Sequence, residues 1–140
     1  KARGGVTFDV IINNAGVGPD APVLKASVQS FDEAMAINVR GPLVLSQEAS
    51  RRLIEKGRSG SIINVASIYG LRVGFNNAVY ATSKAAIVQL TKAMAIEVLG
   101  KGIRVNAIAP CVYISRVLHT GNGATDAFRT RGTGATTRAR

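Results

Sequence analysis

Residues 61–99 read SIINVASIYGLRVGFNNAVYATSKAAIVQLTKAMAIEVL. The opening run, SIINVA, is apolar and rich in β-branched residues, as a buried strand requires. Ser67 follows it, and then a loop containing Tyr69, Gly70, Leu71, Arg72, Gly74 and Phe75, a composition suited to facing a substrate. From about Ala78 to Leu99 apolar residues recur at helical spacing, with Ile87, Leu90, Met94 and Val98 on one face. Tyr80 and Lys84 stand four residues apart in the first turns of that helix and so share a face, at the rim of the apolar stripe. A cation beside a phenol favours the ionised phenol, and a serine hydroxyl nearby offers a donor to a substrate oxygen. The stretch reads as strand, loop and helix, with a candidate proton-transfer site.

Upstream, residues 6–13 (VTFDVIIN) form a second apolar run, and its continuous VII predicts a sheet covered on both faces. It ends in the turn residues Asn13, Asn14, Ala15 and Gly16, which open a loop to residue 28. Ser30 with Glu33 three residues on has the spacing of a capping box, and predicts a helix to Lys56 with Gly57 as its stop. Phe31, Met35, Asn38, Pro42, Leu45, Ala49 and Leu53 fall on its inward stripe. Pro42 has no N–H for the carbonyl of Asn38, so a kink with a free, inward-facing Asn38 carbonyl is expected.

Downstream, Gly100 and Gly102 end the second helix, and residues 103–109 (IRVNAIA) form a third strand closed by Pro110. The order β-α-β-α-β, with helices long enough for crossovers, implies parallel strands joined right-handedly. The fold class is α/β with a partial doubly wound parallel sheet. Ligands bind such sheets beyond the carboxyl ends of the strands. The Asn13–Gly16 turn, Ser67, Pro110 and the Tyr80–Lys84 turn all reach that rim. Singly, each reads rather as an ordinary turn, loop hydroxyl or surface pair; their convergence carries the argument.

The totals agree with one domain. The chain has 140 residues, 46% of them hydrophobic and 19% charged, with mean hydropathy +0.17. No apolar run approaches the 18 or so residues of a membrane span, and the start, KARGGVTFD, has no apolar stretch behind its basic residues, so a cytoplasmic setting without membrane contact is expected. A single cysteine, Cys111, and a single histidine, His119, exclude an internal disulfide scaffold and argue against a metal site. The net charge is +10: residues 1–111 hold 13 Lys/Arg and 7 Asp/Glu, and residues 112–140 hold 5 Arg and 1 Asp. Scattered basic residues with few aromatics argue against a nucleic-acid partner. After Cys111 the periodic pattern stops. Residues 120–140 (TGNGATDAFRTRGTGATTRAR) are too poor in bulky apolar groups to offset their ordering entropy, and disorder is expected. The organisation is thus a domain over residues 1–111 and an irregular basic tail over 112–140.

Together NNAG after a strand, NVRG in the following helix, Ser67, YATSK beginning thirteen residues beyond it, and RVNAIAP resemble the short-chain dehydrogenase/reductase family, in its single-domain branch, over residues 6–110. The resemblance implies a Rossmann-like oxidoreductase that interconverts an alcohol and a carbonyl with NAD or NADP. It casts Tyr80 as the acid/base, Lys84 as the cation that favours Tyr80 ionisation and holds the nicotinamide ribose, Ser67 as the group that polarises the substrate oxygen, and Asn38 as anchor of a proton-relay water through its carbonyl. Asn13, Ala15 and Gly16 are cast as lining the cofactor cleft, and Pro110 as lying against the nicotinamide. A homodimer or homotetramer of the full-length protein is implied through the two long helices.

The chain departs from the family pattern in two places. No T-G-x-x-x-G-x-G loop for the pyrophosphate precedes Val6, and the usual Pro-Gly appears as Pro110-Cys111. The competing expectation is therefore a truncated, non-catalytic fragment that does not bind the dinucleotide by itself.

Overall fold

The structure, a computed structural model, describes residues 8–111. Strand β1 (Val10–Asn13) is followed by a 3₁₀ turn (Val23–Lys25), helix α1 (Val28–Met35), a π-helical turn (Ala36–Arg40) and helix α2 (Gly41–Glu55). Strand β2 (Gly60–Val65), a 3₁₀ turn (Ile68–Gly70), helix α3 (Ala78–Glu97) and strand β3 (Ile103–Ile108) complete it. The three strands are parallel in the order β1-β2-β3, with Asn13 beside Asn64 and Asn64 beside Ala107. Strand order equals chain order, so both crossovers advance the same way and, right-handed, place their helices on one face of the sheet. The core lies there: Leu53 of α2 and Met94 and Val98 beside the C-terminal end of α3 pack on Ile62, Ile103 and Val105.

Within the described residues the helices cover only one of the two faces that the apolar VII leads one to expect covered. On the opposite face Val10 is 53%, Ile12 61% and Ile108 50% exposed. Both helical layers of the described chain are spent on the other side, and among the described residues nothing covers these. The outer edge of β1 is likewise unpaired among the described residues.

The first helix differs in start and continuity. Its cap is Ser27, whose Oγ accepts the Ser30 N–H at 3.0 Å, and not Ser30 itself. Where the sequence predicts a kink with a free Asn38 carbonyl, the helix passes through a π turn, in which the Gly41 N–H donates to the Ala36 carbonyl five residues back. Because proline has no N–H, widening the preceding turn lets the helix re-form with Pro42 in its first turn. Beyond Pro42 the buried row follows i, i+4 spacing. Pro42, Ser46, Ser50 and Leu53 face inward, while Leu45, expected on the stripe, is 60% exposed.

Residues 6 and 7 of the expected first strand and the whole 112–140 tail lie outside the described residues. Among the described residues no helix is long and apolar enough to cross a membrane.

Candidate active site

A cleft of about 320 Å³ opens at the carboxyl ends of the three strands. One wall is the loop after β1, with Asn14, Gly16, Val17 and Gly18; the floor is Val65, Ala66 and Ser67 at the end of β2. Tyr80 and Lys84 enter from α3, and Pro110 and Cys111 close the far side after β3. Main-chain bonds hold the rim together, with the Ala66 N–H on the Ile108 carbonyl at 2.8 Å and the Ile68 N–H on the Pro110 carbonyl at 2.9 Å. A larger groove of about 880 Å³ runs along α1 and the π turn, but none of these groups lines it.

Lys84 is 4% exposed, more deeply set than a rim position implies. Its Nζ donates to the Val65 carbonyl at 2.7 Å and lies 5.6 Å from the centre of the Tyr80 ring. Burial pushes its ammonium below the ordinary lysine range, and among the described residues lining the cleft no carboxylate offsets the lost hydration. The Tyr69 ring meets that of Tyr80 edge-on, centres 6.4 Å apart. The Ser67 Oγ accepts the Tyr69 N–H at 3.2 Å, which leaves its own proton to be donated elsewhere. Close approach shapes two positions. A Cβ on Gly70 would lie 2.5 Å from the Lys84 carbonyl oxygen, so glycine lets the Ser67 loop rest on the α3 backbone. A Cβ on Gly16 would stand 3.1 Å from Asn38 Oδ1 and 3.3 Å from Lys84 Nζ, filling the space before the ammonium.

Asn38 sits behind the cleft wall, 2% exposed. Its Oδ1 accepts the Val17 N–H and its Nδ2 donates to the Val17 carbonyl and to Ser83 Oγ, each at 2.8 Å. Ser83 Oγ in turn donates to the Tyr80 carbonyl at 2.8 Å.

Of the residues expected at the site, the fold gathers Gly16, Ser67, Tyr80, Lys84 and Pro110 around one cleft. Asn13 and Ala15 do not line it. The Asn13 side chain points into the core, where Nδ2 donates to Ser46 Oγ at 2.9 Å and to Asn64 Oδ1 at 2.7 Å; Ala15 is exposed outside the cleft. The alternation of β1 accounts for this, since Asn13 falls on the helix-covered face beside Asn64. Asn14, Val17, Gly18, Cys111 and the buried Ser83 were missed. Ser83 carried a signal in the sequence: it stands three residues after Tyr80, on the neighbouring helical row.

A model of the short chain dehydrogenase family matches residues 4–122. The chain belongs to that family. Among its short-chain dehydrogenase relatives, the sorbitol dehydrogenase of Cereibacter sphaeroides is 41% identical over 106 residues, 76% of this chain and 41% of the relative. A solved 4-hydroxyisoleucine dehydrogenase complexed with NADH and succinate superposes with a TM-score of 0.73 at 39% identity, over 75% of this chain and 50% of that one. A 2-deoxy-D-gluconate 3-dehydrogenase homologue from Agrobacterium tumefaciens, with bound NADP, gives 0.71 at 38% identity, over 74% and 42%. The chain thus spans less than half the length of that curated relative.

Proposed function

We propose that this chain carries the proton-transfer half of a nicotinamide-dependent oxidoreductase that interconverts an alcohol and a carbonyl. The observation that carries the reading is the buried Lys84 ammonium, held by the Val65 carbonyl beside the Tyr80 ring in a cleft that Ser67 also lines. In the carbonyl direction the Tyr80 phenol gives its proton to the substrate oxygen; in the alcohol direction the phenolate takes it. Ser67 donates its hydroxyl proton to the same oxygen, which orients the substrate and stabilises developing negative charge. The Lys84 ammonium favours the phenolate, and its remaining donors are available to ribose hydroxyls. The Asn38 main-chain carbonyl is assigned the anchoring of a water through which Lys84 exchanges protons with solvent.

NAD or NADP supplies the hydride acceptor or donor when bound. The open space before Gly16, the Lys84 donors and the flat face of Pro110 fit the nicotinamide-ribose end, and solved relatives carry NADH or NADP. Asn13 serves this cleft by pinning the end of β1 through its bonds to Ser46 and Asn64. The assignment extends to a domain over residues 1–111 with an appended 112–140 tail, a cytoplasmic setting, a small-molecule alcohol or carbonyl substrate, and a homodimer or homotetramer for the full-length protein.

A second reading, a fragment unable to hold the dinucleotide alone, is favoured by the open sheet face at Val10, Ile12 and Ile108. Titration of the 140-residue protein with NADH and NADPH, followed by nicotinamide fluorescence, separates the two. Micromolar binding that Lys84→Met weakens supports the first. Absence of binding supports the second, and turnover surviving in Tyr80→Phe sinks the proton-transfer assignment.

A further inference from the structure

Ser83 is completely buried at the centre of a hydrogen-bonded chain that joins three elements. A serine inside a helix ordinarily returns its hydroxyl to a carbonyl of the preceding turn and does nothing more. Ser83 does that, donating to the Tyr80 carbonyl, but its Oγ also accepts from Asn38 Nδ2. The other groups of the Asn38 amide clasp both the N–H and the carbonyl of Val17. Val17 lies between Gly16, whose added Cβ would meet Lys84 Nζ, and Gly18, whose added Cβ would meet the Tyr80 ring at 3.5 Å. The cleft wall that backs the phenol and the turn that carries it are therefore bonded to each other through two side chains.

We infer that Ser83 is a positioning residue: with the Asn38 amide it latches the Gly16–Gly18 wall to the Tyr80 turn, and so fixes where the Tyr80 ring stands in the cleft. The latch has no free valence to drift on. Both Asn38 donors are committed, and Asn38 and Ser83 are themselves buried, at 2% and 0% exposed, so an alternative partner for either side chain is costly to find. The latch itself rests on geometry alone, while its catalytic consequence rests on the proposed role of Tyr80.

The test compares two buried hydroxyls of α3. Ser83→Ala cuts the latch; Thr91→Val removes a hydroxyl equally sunk in the helix, from a chain that leads away from the cleft. In the 140-residue protein carrying ¹³C-labelled tyrosine, the Tyr80 ring signal, identified by its loss in Tyr80→Phe, is expected to shift or broaden in Ser83→Ala, to recover in Ser83→Thr, and to stay in place in Thr91→Val. Hydrogen exchange of the Val17 amide is expected to quicken roughly tenfold in Ser83→Ala relative to Thr91→Val. An unmoved Tyr80 signal in a folded Ser83→Ala, or equal effects of the two substitutions, overturns the proposal. Should Ser83→Ala not fold, the unsubstituted protein decides: Val17 must be protected like the interior amides of α3, and exchange at the rate of an exposed loop amide refutes the latch. None of these readouts needs turnover, so a failed oxidoreductase reading leaves the outcome intact. Where turnover is measured, Ser83→Ala lowers kcat with KM unchanged.

Discussion

Two buried polar chains cross the interior, and they serve different ends. One runs from Ser46 of α2 through Asn13 and Asn64 to Thr91 and the Ile87 carbonyl of α3. It stitches both helices to the strands beneath them and ends on helix backbone. The other runs from Val17 through Asn38 and Ser83 to the carbonyl of Tyr80, and ends at the cleft. Both are made of the same neutral amides and hydroxyls, and both are paired along their length, which is what makes burying them tolerable. The difference is in the final link. A chain that ends on the Ile87 carbonyl, away from the cleft, contributes stability, and one that ends on the residue presenting a phenol contributes position.

Four substitutions or conditions test that distinction. The largest effect is expected at the end of the site chain. Tyr80→Phe should lower turnover by about 10²–10⁴-fold, the usual contribution of a positioned acid/base, with the thermal midpoint nearly unchanged. Initial rates and a melting curve on one preparation check both halves, and a large loss of stability would place Tyr80 in the structural class instead.

At the centre of the core chain, Asn64→Ala should show the reverse. It leaves a cavity, a Thr91 hydroxyl without its donor and an Asn13 amide missing one acceptor, at a cost of about 2–4 kcal/mol by denaturant titration. The Lys84–Val65 contact next to it should survive in the folded fraction. Thr91→Val is milder, about 1–2 kcal/mol, since it strands only the Asn64 amide donor and keeps side-chain volume.

The smallest effect is one of pH. Because Lys84 is held below the ordinary lysine range, the unfolded chain binds more protons than the folded one between the lowered value and the usual lysine value near 10.4, and folding stability rises with pH across that window. Against Lys84→Met, the unsubstituted protein should therefore gain relative stability as pH is raised through it. A difference that stays flat, or runs the other way, would mean that the buried ammonium is compensated by an anion.

Much of this is legible in the sequence. The helix stop at Gly57 and the start of α3 at Ala78 fall where the sequence places them, because glycine conformation and apolar periodicity are local properties. So do the three parallel strands and the helical pair Tyr80 and Lys84. The misreadings each depend on something non-local. Leu45 looks like a core residue until packing selects the i, i+4 row of Pro42, Ser46 and Ser50 instead. Asn13 looks like a cleft residue until its alternation is set against the helix-covered face. The VII of β1 reads as doubly covered, and the two described crossovers supply only one of those covers.

What the sequence by itself determined is the family, the parallel α/β plan and the chemistry gathered at the carboxyl ends of the strands, because periodicity, turn residues and motif spacing are written along one dimension. What the tertiary structure decided is which of those polar residues are committed and which face the cleft. Asn13 and Asn38 are both asparagines close to the same rim, and nothing along the chain separates an amide consumed by Ser46 and Asn64 from one that clasps Val17 and Ser83. Hydrogen-bond partners 21 to 51 positions away make that choice, and only the packed sheet and helices bring them within 3 Å.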